Sequence, residues 1–168
     1  DAWAAYLDGR EEDAKALALE AARASPEDKW LWWLAAEIPY RRDELAEAAG
    51  LFDRVHQLDP TLLVPNVALV TSLGAAGRLD RIREIASRLD AFGADRADVL
   101  VSLCFARLWF DRAGAVEACE RASRLGGGAV PANYLAIALL NAGDRGRLEA
   151  HLRTMEADAG PLSFVWFV

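Results

Sequence analysis

The stretch from Asp43 to Pro60, which reads DELAEAAGLFDRVHQLDP, decides the fold class. Within it, Leu45, Ala48, Phe52 and Val55 recur at intervals of three or four residues. This spacing places the four side chains in one stripe along an α-helix. Because proline and the residue before it disfavour helix continuation, the final Asp-Pro pair indicates a turn. The stretch therefore predicts an amphipathic helix that ends at this turn.

The same breaker residues recur along the chain with a period close to 34 residues. Pro26 closes an earlier stretch rich in alanine and leucine, and it lies 34 residues before Pro60. Further steps reach three breaker-rich stretches, at 93–95, 126–128 and 160–161. A second series, Gly9, Gly77 and Gly143, marks the middle of alternate units. A period of this length indicates a protein built of repeats.

The segments between these marks predict helices, because their apolar residues follow helical spacing and no stretch shows sustained strand-like alternation. The predicted helices are 1–8, 11–24, 28–41, 44–57, 62–76, 79–92, 96–110, 114–125, 130–142 and 145–158. The short turns between them indicate antiparallel hairpins. Pro131 and Pro161 suit the first turn of a helix, where the missing N–H costs little. Pro39 lies inside a predicted helix, which we expect it to kink or end.

Paired helices with this period resemble the tetratricopeptide repeat (TPR) family over nearly the whole chain. Ala48 stands where the family has a small residue at the helix crossing, Phe52 fills its aromatic position, and Asp59-Pro60 forms its closing turn. The resemblance implies an all-α fold, a right-handed superhelical solenoid of antiparallel helix-turn-helix hairpins. Ile82 replaces the family's small alanine in a later unit, so the later repeats depart from the pattern.

The repeat marks predict a single TPR-like domain over residues 1–168. Its approximate units are 1–26, 27–60, 61–94, 95–127 and 128–160, followed by the start of a further helix at 161–168. The chain begins at Asp1 rather than at a methionine, and no signal-like stretch opens it. We therefore expect a fragment of a longer protein.

The predicted helix 28–41 supplies the main candidates for binding a partner. In the TPR family the first helix of each repeat lines a concave groove. The resemblance therefore implies that Trp30, Trp33, Glu37, Tyr40 and Arg41 face such a groove. Large aromatic side chains and arginine are the usual anchors of binding hot spots. The alternative is that these rings pack against the neighbouring repeat.

The same alignment extends the predicted groove along the later first helices. The further groove candidates are Val64, Val67, Thr71, Val101, Phe105, Tyr134 and Asn141. This surface is largely apolar, unlike the lysine- and arginine-lined groove of the family's chaperone-tail binders. An apolar groove suits an amphipathic helix or an extended apolar peptide. The strongly apolar segment 162–168 either starts a further helix or fills the groove itself, and its aromatic residues also favour self-association.

These features predict a protein-interaction scaffold or adaptor rather than an enzyme. The formal net charge of −7 argues against a nucleic-acid partner, and no apolar run approaches the length of a membrane span. We expect neither a metal nor a cofactor, because His56 and His151 lie 95 residues apart and belong to no ligand motif. One alternative is a regulatory segment of a multidomain signalling protein or transcription regulator. An enzyme would require a polar pocket around one of the histidines.

Cys104 and Cys119 fall on opposite helices of one predicted hairpin. A disulfide between them would require their Cα atoms to be close. We interpret them instead as free thiols, small residues that fill tight helix crossings. The low cysteine content and the composition rich in alanine and arginine suggest a bacterial cytoplasmic protein.

Overall fold

The computed structural model describes residues 1–93, 95–126 and 129–159, and within these ranges the chain forms ten α-helices and no strand. The helices are α1 (Ala2–Leu7), α2 (Glu11–Ala24), α3 (Lys29–Arg41), α4 (Leu45–Leu58), α5 (Leu63–Ala75), α6 (Leu79–Phe92), α7 (Ala97–Arg107), α8 (Arg112–Gly126), α9 (Ala129–Ala142) and α10 (Arg145–Ala159). The predicted all-α helical-repeat class is confirmed, and every helix end lies within three residues of its predicted position.

The chain divides into two compact units, Asp1–Phe92 and Gly93–Val168. The first contains α1 to α6 and the second α7 to α10, and in each the helices pack against their neighbours along the chain. The boundary between the units lies two residues before the predicted repeat boundary that follows residue 94. The single domain inferred from the repeat period stays a prediction. Residues 161–168 lie outside the described part of the chain.

The mid-unit glycines of the sequence are the points where the chain reverses direction. Gly9, Gly77 and Gly143 have φ angles of 75°, 69° and 75°. Glycine adopts such angles readily because it has no Cβ atom. Asp43 holds the corresponding turn between α3 and α4 with a φ of 61°, which aspartate tolerates better than most residues. The periodic glycines therefore predict hairpin turns for a conformational reason.

Alanines hold the helices of the first hairpins close together. Ala14 packs with Ala5 of α1 and Ile38 of α3. Ala18 packs with Leu34 and Ala35 of α3. Small side chains at these crossings let the helix backbones approach, and the larger residues of α3 then fill the space between hairpins. One side of α3 therefore packs in the core, and its other side lies at the surface.

Of the two expected effects of Pro39, a kink or an end of the helix, an immediate end of α3 does not occur. The helix continues through this buried residue and ends at Arg41. Proline has no backbone N–H, so α3 loses one helical hydrogen bond at this position. Only two residues of α3 follow Pro39, so the loss disturbs little of the helix. The Pro39 carbonyl accepts a hydrogen bond from the backbone N–H of Glu44 at 2.9 Å. Pro131, the third residue of α9, occupies a first turn as predicted, whereas Pro161 lies outside the described residues.

Cys104 in α7 and Cys119 in α8 form a disulfide, so their interpretation as free thiols is wrong. Both residues are completely buried, and their Cα atoms are 5.3 Å apart. The predicted placement at a tight crossing is correct. Ala115 and Ala118 are buried on the same helix as Cys119, and such small residues permit the close approach. The same approach brings the two cysteines within bonding distance.

Candidate partner-binding site

The start of α3 is built to present its tryptophans. Asp28 caps the helix, because its side chain accepts a hydrogen bond from the backbone N–H of Trp30 at 2.9 Å. Trp32 is half-buried, and its Nε1 donates a hydrogen bond to the Pro26 carbonyl at 3.0 Å. Trp32 is bonded to the preceding turn, and Leu34 and Ala35 are buried in the core. Trp30 and Trp33 lie on a third face of the helix.

Trp30 and Trp33 form a stacked aromatic pair at the surface. Their ring centroids are 5.4 Å apart and their planes are inclined by 28°. Trp30 keeps 50% of its surface exposed, whereas Trp33 is half-buried. The Lys29 amine lies 5.2 Å from the centre of the Trp30 ring and also forms an ion pair with Asp59. Trp30 therefore exposes apolar area while its ring contacts both Trp33 and Lys29.

Glu37 and Arg41 continue the same face of α3 and neutralise each other. Their side chains form an ion pair at 2.9 Å, and this hydrogen bond raises the pKa of Arg41. Tyr40 turns toward its own hairpin, where its half-buried ring meets the buried ring of Phe52 edge-on at 5.7 Å. Four of the five predicted α3 residues thus share one face: Trp30, Trp33, Glu37 and Arg41. Tyr40 does not belong to this face, because its ring packs against Phe52.

The neighbouring helix α1 adds apolar residues that the sequence interpretation missed. Trp3 and Leu7 are exposed by 54% and 81%. Tyr6 packs against the α3 core cluster and contacts the Trp3 ring edge-on, which places α1 beside α3. One step of 34 residues relates Trp3 to Glu37 and Leu7 to Arg41. Extending the repeat alignment to the first half-unit would therefore have found them.

On the other side of α3, helix α5 contributes three residues. Val64 is exposed by 57%, while Val67 and Thr71 are half-buried. The Thr71 hydroxyl donates a hydrogen bond to the Val67 carbonyl at 2.8 Å, so it brings no unpaired donor to the surface. We call the combined surface of the first unit the tryptophan face. It consists of Trp3, Leu7, Trp30, Trp33, Glu37, Arg41, Val64, Val67 and Thr71.

The candidates of the second unit form no comparable surface. Val101 is 1% exposed, so its predicted groove position is wrong. The reason is that α7 is largely apolar and buries seven of its eleven residues, so its core surface extends beyond one narrow stripe. Phe105 and Tyr134 are half-buried and contact each other edge-on at 5.4 Å. Asn141 is exposed near the end of α9.

Comparison with known proteins identifies the fold. No protein-family model matches the sequence, and no curated protein matches it. A MamA structure from Desulfovibrio magneticus RS-1 is 18% identical, with a TM-score of 0.64, over 94% of this chain and 90% of that one. A thermophilic TPR protein of Thermus thermophilus is 18% identical, with a TM-score of 0.65, over 94% of this chain and 88% of that one. The chain has a TPR-like fold. At this identity the likeness concerns the fold alone.

Another MamA structure matches the TPR-like chain at 14% identity, with a TM-score of 0.65, over 93% of this chain and 86% of that one. The solved structures thus share the helical-repeat architecture across nearly the whole length. Among the described residues, none of the helices combines the length and apolarity that a bilayer crossing demands.

The histidines of the TPR-like chain are occupied by structural contacts. His56 is 1% exposed and lies 2.8 Å from the side-chain oxygen of Asn66. The Nε2 atom of His151 lies 2.9 Å from the Ala132 carbonyl. Within the described ranges, no group of three or more His, Cys, Asp or Glu residues is arranged to hold a metal ion.

An open concavity of about 540 Å³ lies between the start of α4 and the end of α5 in this TPR-like chain. Its lining includes Asp43, Glu44 and Glu47 together with Ala75. Lys15 approaches Glu44 at 3.9 Å and Glu47 at 2.7 Å, so two of the three acids already have a cation nearby. The described residues that line this concavity include no nucleophile paired with a base.

Proposed function

We propose that this TPR-like chain is a protein-interaction scaffold whose tryptophan face binds a partner peptide or helix. The observation that carries the proposal is the stacked Trp30–Trp33 pair, with Trp30 half exposed to water. Trp3 and Val64 extend this apolar surface on either side. A contiguous exposed apolar surface of this kind marks an interaction site. Aromatic residues at its centre are the usual anchors.

The charges on the tryptophan face indicate what kind of partner it suits. Its only two charged residues, Glu37 and Arg41, form an ion pair with each other. Neither is therefore left to select a strongly charged tail. The partner we propose is an amphipathic helix or an extended apolar peptide, which would bury the aromatic rings and leave the ion pair at the edge.

Selection from a random peptide library, followed by affinity measurement, tests this function. Peptides selected on the wild-type protein should be weakened by Trp30→Ala, since removing a hot-spot aromatic costs about 2 kcal/mol or more, roughly thirtyfold in Kd. The matched control is Trp109→Ala, which removes another partly exposed tryptophan, in the second unit. Equal affinity for wild type and Trp30→Ala, or no selected peptide at all, would contradict the proposed site.

We further propose that the chain binds its partner without catalysing a reaction. Two observations support this. His56 is buried beyond the reach of a substrate, and His151 is engaged with a backbone carbonyl. Addition of peptide to the protein should therefore leave the peptide's mass unchanged, and a modified product would overturn this part of the proposal.

The disulfide indicates the cellular compartment in which the protein resides. The composition suggests the cytoplasm, but structural disulfides persist mainly in oxidising compartments. We propose such a compartment, on the support of the buried Cys104–Cys119 bond. The test is to alkylate the protein in denaturant, directly from its native cells, and to weigh it. Two alkylated cysteines would contradict the proposal, whereas none would support it.

A further inference from the structure

A buried polar chain crosses the junction between α4 and α5. The His56 Nδ1 atom in α4 lies 2.8 Å from the Asn66 Oδ1 atom in α5. The Asn66 Nδ2 atom donates in turn to the Pro60 carbonyl at 2.8 Å, within the turn that joins the two helices. Both side chains are 1% exposed. Three residues thus tie the end of one repeat to the start of the next.

The direction of these hydrogen bonds defines the protonation of His56. The Asn66 amide nitrogen donates to Pro60, so the amide oxygen is the acceptor and His56 Nδ1 must be the donor. In the neutral ring Nε2 is then a bare acceptor, and this buried atom has no hydrogen-bond partner. A proton added at Nε2 would create a charge and an N–H group without an acceptor, which is costly in the interior.

The charges around His56 do not compensate for this cost. Asp53 in α4 would favour a protonated ring, but it forms an ion pair with Arg81 of α6 at 2.7 Å. Arg81 and Arg88, both in α6, oppose the added charge, and α5 contains no charged residue. Burial lowers the pKa of His56 below its ordinary value of 6.5, although the hydrogen bond with Asn66 partly offsets this effect.

The third helix packed against α4 adds no compensation either. Three residues of α3 carry charge, and each is already committed. Lys29 forms an ion pair with Asp59, while Glu37 and Arg41 form an ion pair with each other. In α6, Glu84 forms an ion pair with Arg81, and Asp80 forms one with Arg78. Protonation of His56 would therefore have to be tolerated without a free anion from α3 or α5.

We propose that the chain His56–Asn66–Pro60 is an acid-sensitive latch that regulates partner binding at the tryptophan face. The latch joins α4 to α5, and α5 carries Val64 and Val67 beside the tryptophans of α3. Protonation at Nε2 by solvent loosens this junction, which separates the two halves of the face and releases the partner. This regulatory role rests on the proposed function, but the latch itself does not.

The sign of the pH dependence follows from the direction of the pKa shift. Because the folded protein holds His56 neutral below its ordinary pKa of 6.5, the unfolded chain takes up the proton first. The latch's contribution to stability is therefore fully present above pH 6.5, and it is lost progressively as the pH falls below that value.

The stability arm of the test uses the two histidines as a matched pair. Thermal unfolding between pH 7.5 and 5 is compared for wild type, His56→Gln and His151→Gln. Glutamine can donate to Asn66 but does not titrate, so His56→Gln should lose part of the acid destabilisation while His151→Gln keeps it. An unchanged pH dependence in His56→Gln would overturn the latch.

A spectroscopic measurement covers the case in which His56→Gln fails to fold. In His151→Gln the only histidine signal in the NMR spectrum belongs to His56, so its titration can be followed without ambiguity. The latch requires a midpoint below 6.5, and a midpoint at or above that value would overturn it.

The binding arm separates the latch from the proposed function. A selected peptide without histidine is titrated at pH 7.5 and 5.5. Wild type should lose affinity at the lower pH, and His56→Gln should lose much less, because only the wild type can take up a proton at this position. Equal loss in both proteins would overturn the regulatory role. If no peptide binds at pH 7.5, the proposed function fails, while the stability arm still decides the latch.

Discussion

Gly50 and Gly77 lie in open surroundings but in different backbone conformations. An added Cβ atom would meet no atom within 4 Å at either position. Gly50 lies within α4, whereas Gly77 has a φ of 69° in the turn before α6. Space is therefore not what distinguishes them. The difference lies in the backbone angles that each position demands.

Alanine substitutions should separate these two cases. Gly50→Ala is expected to raise the free energy of unfolding by about 0.5–1 kcal/mol, because alanine lowers the entropy of the unfolded chain and suits a helix. Gly77→Ala should lower it by about 1 kcal/mol, because alanine resists the left-handed conformation. Urea denaturation measures both values. A change of the same sign in both variants would contradict the conformational account.

Asp59 links the closing turn of one repeat to the first residue of α3. Burial raises the pKa of its carboxyl group, but hydrogen bonds from Lys29 and Thr61 outweigh this and lower the pKa to about 2. The folded protein thus holds the carboxylate charged below its ordinary range. Its contribution to stability is present above the ordinary pKa and is lost as the pH falls through about 2.

Asp59→Asn should therefore destabilise the protein by about 1–2 kcal/mol at pH 7, because the variant loses the charged acceptor of the hydrogen bonds from Lys29 and Thr61. The difference from wild type should shrink as the pH falls from 4 to 2. Chemical denaturation of both proteins across this range measures it. A difference that does not change with pH would show that the carboxylate charge has no part in stabilising the turn.

Among the helices, the accuracy of the predicted bounds followed the strength of the local signals. The starts of α2, α6 and α10 agree with the prediction, since each helix follows a glycine turn. By contrast, α7 ends at Arg107, three residues before its predicted end. Leu108 to Phe110 continue the apolar spacing without a breaker. The end is decided by Asp111, whose side chain accepts a hydrogen bond from the Gly114 backbone N–H at 3.0 Å and so helps to start α8.

The disulfide in the hairpin α7–α8 joins two residues that are 15 positions apart in sequence. A bond that closes a loop of this length restricts the unfolded chain. Replacement of both cysteines by alanine should therefore lower the free energy of unfolding by about 2–4 kcal/mol. Denaturation with and without a reductant provides the control, because the reductant should affect wild type but not the double variant. Equal stability of the two oxidised proteins would contradict this prediction.

For the whole molecule, the division into two compact units predicts a local response to reduction. The disulfide lies within residues 93–168, and each unit has its own core. Reduction should therefore speed amide hydrogen exchange in α7 and α8 while leaving α2 to α5 unchanged. Exchange measured by mass spectrometry on peptide fragments tests this. Equal acceleration in both units would show that they do not open independently.

The sequence by itself determined the helices, their pairing into hairpins and the TPR-like repeat. Helical spacing and breaker residues act over a few positions, so their effect is visible in the order of residues. The tertiary structure alone decided that Val101 is buried, that Tyr40 turns toward Phe52 and that Cys104 bonds to Cys119. Exposure and Cα separation depend on which neighbouring helix packs against a given face. That choice is made by contacts between residues distant in sequence, and the local pattern carries little trace of it.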